Sequence, residues 1–346
     1  MNLFNINTGS SSNFTNKLSI SLFVFVFLFA CLGSFFIEYG VDYGNYIIYF
    51  DQIRNGDFNV VLLNRVEPLF GFIVFLLTMI FTSNYFVYFC LLILSIFFKL
   101  LVIFYRSQTF LSSITLSFYY LFRYFPIHEL TQIRISIAIG FFLLAISMRT
   151  ALLGWLLFAI ACTVHYSIIP FMPLFVFVVF AQTESLKYLK YEKVIWVFIF
   201  FLIVFFGFFL DSILVFLTPY FSVLQIYAVS GFGDSTVSRF NARILLDVVC
   251  LLMALPLIRR TSFRMRFWLY VQIVGVLVFY STIKLPIIAF RLNEIFGVLW
   301  IFYFAEALRN KGLVRIHALF FICLFVFAYL YFYFFAKSAI FPFLDR

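Results

Sequence analysis

Apolar runs of bilayer length recur along almost the whole of this sequence, and no other feature narrows its fold so far. Residues 18 to 37 form the first, and others lie near 68 to 81, 85 to 105, 110 to 125, 131 to 147, 151 to 164, 166 to 181, 194 to 210, 243 to 258, 267 to 283, 286 to 305 and 316 to 335. With 65% hydrophobic and 11% charged residues, the chain has too little polar surface to cover a soluble core, and a bilayer is its natural solvent. A segment inside hydrocarbon must satisfy its own backbone hydrogen bonds, which a helix does. The expected fold is an all-α, polytopic integral membrane protein of about 11 to 12 transmembrane helices.

Met1 to Asn16 is rich in Asn and Ser and has no apolar periodicity, so residues 1–17 read as a disordered tail ahead of one membrane domain over 18–346. The first run is longer than a signal-peptide core and lacks a small-residue cleavage site, so it reads as a retained span. Cys31, Cys90, Cys162, Cys250 and Cys323 each lie in an apolar run without a paired spacing, and read as small buried hydrophobes. No internal repeat is visible, which disfavours transporters built from two related halves.

The net charge of +10 is first a topology signal. If each run from 85 onward crosses once, alternate loops hold twelve Lys or Arg on one side, among them Arg106, Arg149, Lys187, Arg260, Arg264, Arg309 and Arg315, against six on the other. The first side is then cytoplasmic. The segment Arg123–Arg134, His165, a long segment near 211–242 and Arg291 face outward. The polar segment 38–67 joins them if the short run 68–81, which opens on Pro68, re-enters rather than crosses. That arrangement gathers the polar residues on one face, and the contrary arrangement puts 38–67 inside. Nucleic acid is not an expected partner.

Within RYFPIHELTQIR, Arg123, His128, Glu129, Gln132 and Arg134 fall between two hydrocarbon runs. Ionisable groups at membrane depth are costly and commonly line a wet cavity, so this stretch reads as one wall of a site; the plainer reading is a polar loop. Arg239, Arg243 and Asp247 recur at every fourth position, either as an intrahelical ion pair or as a stripe with positive charge left over for a phosphate. Arg291 and Glu294, at i and i+3, carry the same two readings. His165 sits at a turn between runs, as a structural hydrogen-bonding residue or as a proton acceptor. Lys99, two turns from the cytoplasmic end of its run, is expected to snorkel, and His317 to lie at the interface.

Five short elements, VDYGNYIIYF, EPLF, QIRISIA, VHYS and FRLNEIF, occur in that order over residues 40 to 300, and in order and spacing they resemble the EpsG family. The resemblance implies kinship with Wzy-type polymerases of bacterial exopolysaccharide, capsule and O-antigen. By analogy it also implies the GT-C class of all-helical glycosyltransferases. The implied reaction moves a glycan from an undecaprenyl-diphosphate-type carrier onto an acceptor repeat unit at the outer face of the inner membrane. A flippase and a chain-length regulator are the implied partners.

For that chemistry Arg123, Arg134, Arg239, Arg243 and Arg291 are the candidates to hold the diphosphate, and His165, Asp42, Glu67 and Glu129 to take the acceptor's proton. No D-x-D element is present to hold a divalent cation, and neither metal nor cofactor is expected. Two other classes fit the composition: a flippase of lipid-linked sugars, and an acyltransferase acting on surface glycan.

Overall fold

The computed structural model describes residues 12–40, 42–56, 67–107, 109–148, 150–183, 241–283 and 286–334. Among these residues every regular element is helical. The helices are α1 (Ser12–Ser34), α2 (Tyr43–Arg54), α3 (Pro68–Ile80), α4 (Asn84–Arg106), α5 (Phe110–Arg123), α6 (Ile133–Ala145), α7 (Ala151–Val164), α8 (Met172–Thr183), α9 (Ala242–Ala254), α10 (Phe263–Ser281), α11 (Pro286–Val298), α12 (Trp300–Arg309) and α13 (Leu313–Phe334). Local chemistry sets several starts. Pro68 opens α3 at a position where its missing N–H costs nothing. Thr109 and Ser112 cap α5 reciprocally, and Ser262 accepts from the Met265 N–H at the start of α10.

Large apolar side chains point outward all along the bundle, among them Leu152, Ile80, Met79 and Phe327, each at least 69% exposed. A hydrocarbon solvent makes such a surface favourable. Among the described residues, four helices are long and apolar enough to cross a membrane: Asn84–Arg106, Phe263–Ser281, Ile288–Arg309 and Leu313–Tyr333. The 13 or 14 residues of α3, α6 and α7 reach only about 20 Å, short of the roughly 30 Å of bilayer hydrocarbon. The expected run at 194–210 and the long outer segment near 211–242, up to residue 240, lie outside the described residues.

Interhelical contacts fix directions. Helices α1 and α4 are antiparallel: the Phe25 and Phe104 rings are 5.9 Å apart, and Tyr85 Oη donates to Ser34 O at 3.1 Å. Helices α4 and α6 are parallel, with Ser95 beside Ser136 (2.8 Å) and Arg106 Nη2 donating to Ile146 O (3.2 Å). By helical rise, α6 begins about 12 Å deeper than α4. At one end of the bundle Arg309 donates to Arg106 O, and Arg264 lies within electrostatic reach of Arg106. At the other end Tyr333 Oη, near the close of α13, donates to Arg123 O at 3.0 Å. The described segments that loop charge divides into two groups thus lie at opposite ends of the molecule.

Helices α2 and α3 stay at one end. Asn84 Nδ2 donates to Asp51 Oδ1 (2.8 Å) and Arg54 Nη2 to Phe81 O (3.5 Å), so the end of α2 meets the turn between α3 and α4. The end of α1 and the start of α4 lie at the same end of the bundle. Tyr46, Phe50 and Ile53, on one face of α2, are buried, and Tyr49 stacks on Phe70 at 6.1 Å.

Two side chains differ from expectation. Lys99 does not snorkel: it is fully buried and donates to Glu129 Oε1 at 2.6 Å and Ser95 Oγ at 2.8 Å, because α6 brings Ser136 and the preceding loop brings Glu129 against its helix face. His317 is buried between Tyr303 Oη (3.2 Å) and Cys250 O (3.3 Å) rather than interfacial. Of the cysteines, all expected to be buried, Cys250 is buried and Cys31, Cys90 and Cys162 are half-buried, whereas Cys323 is exposed on the outward side of α13.

Candidate functional site

The segment between α5 and α6 forms one short helical turn, Phe125–His128, and is irregular after it, where unpaired buried carbonyls are expensive. Tyrosines satisfy them. Tyr88 Oη lies 3.1 Å from Glu129 O and 3.3 Å from Leu130 O, and Tyr333 holds Arg123 O. Gly40 completes the fastening: a Cβ there would sit 1.9 Å from Leu130 O, so only glycine lets the segment ahead of α2 lie against this loop. Asp42, at the N-cap of α2, is thereby brought close to Arg134, in the first turn of α6.

Glu67 is the hub. One carboxylate oxygen accepts from Arg134 Nη1 at 3.0 Å, and the other lies 3.3 Å from His165 Nδ1. Glu67 and His165 side chains are 7% and 10% exposed, whereas the Arg134 side chain is 35% exposed. The Arg134 guanidinium also lies 5.9 Å from the Tyr46 ring. His165 ends α7 in extended backbone, and its Nδ1 accepts the Ser167 N–H at 3.3 Å, which keeps that nitrogen unprotonated in the neutral ring. Burial, then Arg134 and Arg291, push the His165 imidazole down to about 3. It is therefore neutral at pH 7 and a weak proton acceptor, with Nδ1 held between the Ser167 N–H and Glu67. Burial raises the Asp42 carboxyl, while Arg291, Arg134 and a hydrogen bond from Asn45 oppose the rise. Arg291, on α11, thus lies within electrostatic reach of both Asp42 and His165.

Two other candidates are engaged elsewhere. Arg123, expected to hold diphosphate, is 2% exposed; its Nη2 donates to Asp247 Oδ1 at 2.6 Å, its Nη1 to Tyr119 Oη at 2.8 Å, and its guanidinium packs 4.0 Å from the Phe325 ring. Trp300 Nε1 donates to the same Asp247 oxygen at 2.8 Å. Asp247 therefore bonds across the bundle to α5, not along its own helix to Arg243. Glu129, expected as a base, is fully buried against Lys99, Ser95, Ser136 and Tyr120. Arg243 lies near a separate cleft with Tyr329 and Glu294, and Arg239 lies outside the described residues.

Tyr46 joins the cluster although its sequence suggests only an interfacial tyrosine. Its position four residues after Asp42, on one helix face, was the available signal. No group of three or more His, Cys, Asp or Glu side chains able to hold a metal occurs among the described residues.

A lipid-facing helical bundle that gathers an arginine, a histidine and carboxylates at one end defines a polytopic membrane protein with a polar site. The chain belongs to the EpsG family, whose model matches residues 19–344, nearly its whole length. This is a polysaccharide-polymerase-like family. No curated protein and no solved structure matches the chain.

Proposed function

We propose that this protein is a glycosyltransferase that polymerises lipid-linked oligosaccharide repeat units. It transfers a growing glycan from an undecaprenyl-diphosphate-type carrier to an acceptor unit at the outer face of a bacterial inner membrane. The observation that carries this reading is the convergence of Asp42, Glu67, Arg134, His165 and Arg291, one from each of the five sequence elements of the family resemblance. The leaving diphosphate gains negative charge as its bond to the sugar breaks. Arg134, oriented by Glu67 and partly exposed, and Arg291 are placed to stabilise that charge through hydrogen bonds and electrostatics. Asp42, whose carboxyl is raised by burial, is the group of this cluster suited to take the acceptor hydroxyl's proton, with neutral His165 beside it as a hydrogen-bonding group.

Purified protein incubated with lipid-linked repeat units is expected to yield a ladder of products differing by one repeat. Tight binding of the lipid diphosphate with no ladder would favour a flippase, and transfer of an acyl group to glycan would favour the acyltransferase.

Sidedness is tested separately in a variant lacking the native cysteines. Asn55→Cys, exposed at the end of α2 on the same end of the bundle as the polar site, is expected to react with a membrane-impermeant maleimide in intact cells. Lys311→Cys, at the basic end, is expected to react only after permeabilisation. The reverse pattern would place the site on the cytoplasmic face and remove the outer-face reaction.

A further inference from the structure

The end of the bundle opposite the Glu67 hub gathers more positive charge than the described residues around it can match. Helix α4 ends there on Arg106 and α12 on Arg309, and α10 and α13 begin there. Arg309 Nη2 donates to Arg106 O, and Arg264 lies within electrostatic reach of Arg106. Asn310 Nδ2, in the turn between α12 and α13, lies 3.8 Å from Met265 Sδ in the first turn of α10. Arg106, Arg264, Arg266, Arg309, Lys311 and Arg315 are thus drawn to one end, where Glu306 is the sole carboxylate among the described residues.

Glu306 is already paired with Arg309 at 3.1 Å. Arg106 spends Nη2 on Ile146 O and Arg266 spends Nη1 on Thr261 O at 3.5 Å, yet Arg106 Nε and Arg309 Nε stay buried without an acceptor among the described residues. The protein supplies fewer acceptors here than its guanidinium groups require. The helix ends add to the imbalance. The first turns of α10 and α13 hold Arg264, Arg266 and Arg315 and no acidic residue. A helix N-terminus carries partial positive charge, so cations in its first turn are unfavourably placed until an anion joins them.

What lies beside the charge selects the source of that anion. Arg264, Lys311 and Arg315 are exposed, and so are Leu313, Ile316 and Phe320, each at least 52%. Arg315, Ile316, Leu319 and Phe320 stand at i, i+1, i+4 and i+5, so one face of α13 passes from a cation at the end of the bundle to apolar side chains deeper along it. Helix α13 is long and apolar enough to cross a membrane, which sets the cation at headgroup level and the stripe among acyl chains. A soluble anion would meet only the first, whereas a phospholipid meets both.

We infer that this end carries a binding site for an anionic phospholipid, in which Arg264, Lys311 and Arg315 hold the charged headgroup and an acyl chain lies along Ile316, Leu319 and Phe320. The site is independent of the polymerase reading. It lies at the other end of the molecule from Arg134 and uses none of the residues proposed for the reaction.

The test titrates full-length protein in a neutral detergent with dioleoyl phosphatidylglycerol or dioleoyl phosphatidylcholine, and native mass spectrometry counts the lipids retained. Wild type is expected to hold phosphatidylglycerol roughly tenfold or more tightly than phosphatidylcholine, which has the same acyl chains and a phosphate but no net charge. Arg264→Gln combined with Arg315→Gln is expected to weaken phosphatidylglycerol binding roughly thirtyfold, the effect of removing two basic side chains from an anionic lipid surface, and to leave phosphatidylcholine within about twofold. Arg54→Gln, at the opposite end, removes one charge and should leave both lipids unchanged.

Equal affinity of the wild type for the two lipids overturns the site and leaves the basic end to an acidic polypeptide. Phosphatidylglycerol binding that survives the double variant, or that falls as far in Arg54→Gln, also overturns it, since net charge alone would then draw the lipid. Equal loss of both lipids in the double variant indicates a structural role and has the same consequence. If the double variant fails to fold, Lys311→Gln, in an exposed turn, applies the same criteria with an expected loss of roughly fivefold.

Discussion

Arg134→Lys is expected to slow ladder formation by roughly 10²- to 10³-fold, the effect of removing one donor from a charge-stabilising site. The protein should still accumulate in the membrane. Lysine can keep the ion pair with Glu67, so the local charge balance survives. What is lost is the planar fork, which can hold Glu67 with Nη1 and still offer donors to a phosphate oxygen. The measurement is initial ladder rate at saturating lipid-linked substrate, beside the binding of lipid diphosphate alone. A rate equal to wild type would mean that Arg134 serves only to balance Glu67, and the diphosphate would have to be sought elsewhere.

The second large effect is on stability. Asp247→Ala leaves Arg123 buried at 2% exposure without its counter-charge, and breaking such a pair costs about 3–5 kcal/mol. Replacing both partners with apolar residues, as in Arg123→Met with Asp247→Leu, is expected to restore most of that loss, because neither desolvated charge remains. Titration with a denaturing detergent, followed by Trp fluorescence, reads both variants. A single variant as stable as wild type would show that Arg123 finds another acceptor or water, and the pair would not then be a structural tie between α5 and α9.

The difference between those two arginines marks how far the sequence could be read. Helix boundaries were legible because apolar runs in a membrane protein end where lipid ends: the runs at 110 to 125, 151 to 164 and 286 to 305 overlie α5, α7 and the α11–α12 pair. Arg134, Glu67, His165, Asp42 and Arg291 could be singled out as costly polar groups close to apolar runs. Which of them meet could not be read, because pairing depends on helix register across the bundle. Spacing tied Asp247 to Arg243 on its own helix, whereas the observed partner is Arg123, 124 positions away. Lys99 and Glu129 show the same limit. Each alone looks like a snorkelling or catalytic group, and only the parallel run of α4 beside α6 turns them into a closed internal pair.

The fit of Gly40 against Leu130 O also bears on motion. With no room for even a methyl group between them, the segment that carries Asp42 and the loop that leads to Arg134 move as one body, further joined through Tyr88. This half of the site cannot act as a lid. On the polymerase reading, widening to admit a bulky glycan then falls to the opposite side, where α11 carries Arg291. The molecule would work like a vice with one fixed jaw: chemistry is aligned on the side that holds still, and substrates are exchanged by displacement of the side that carries Arg291 and Glu294.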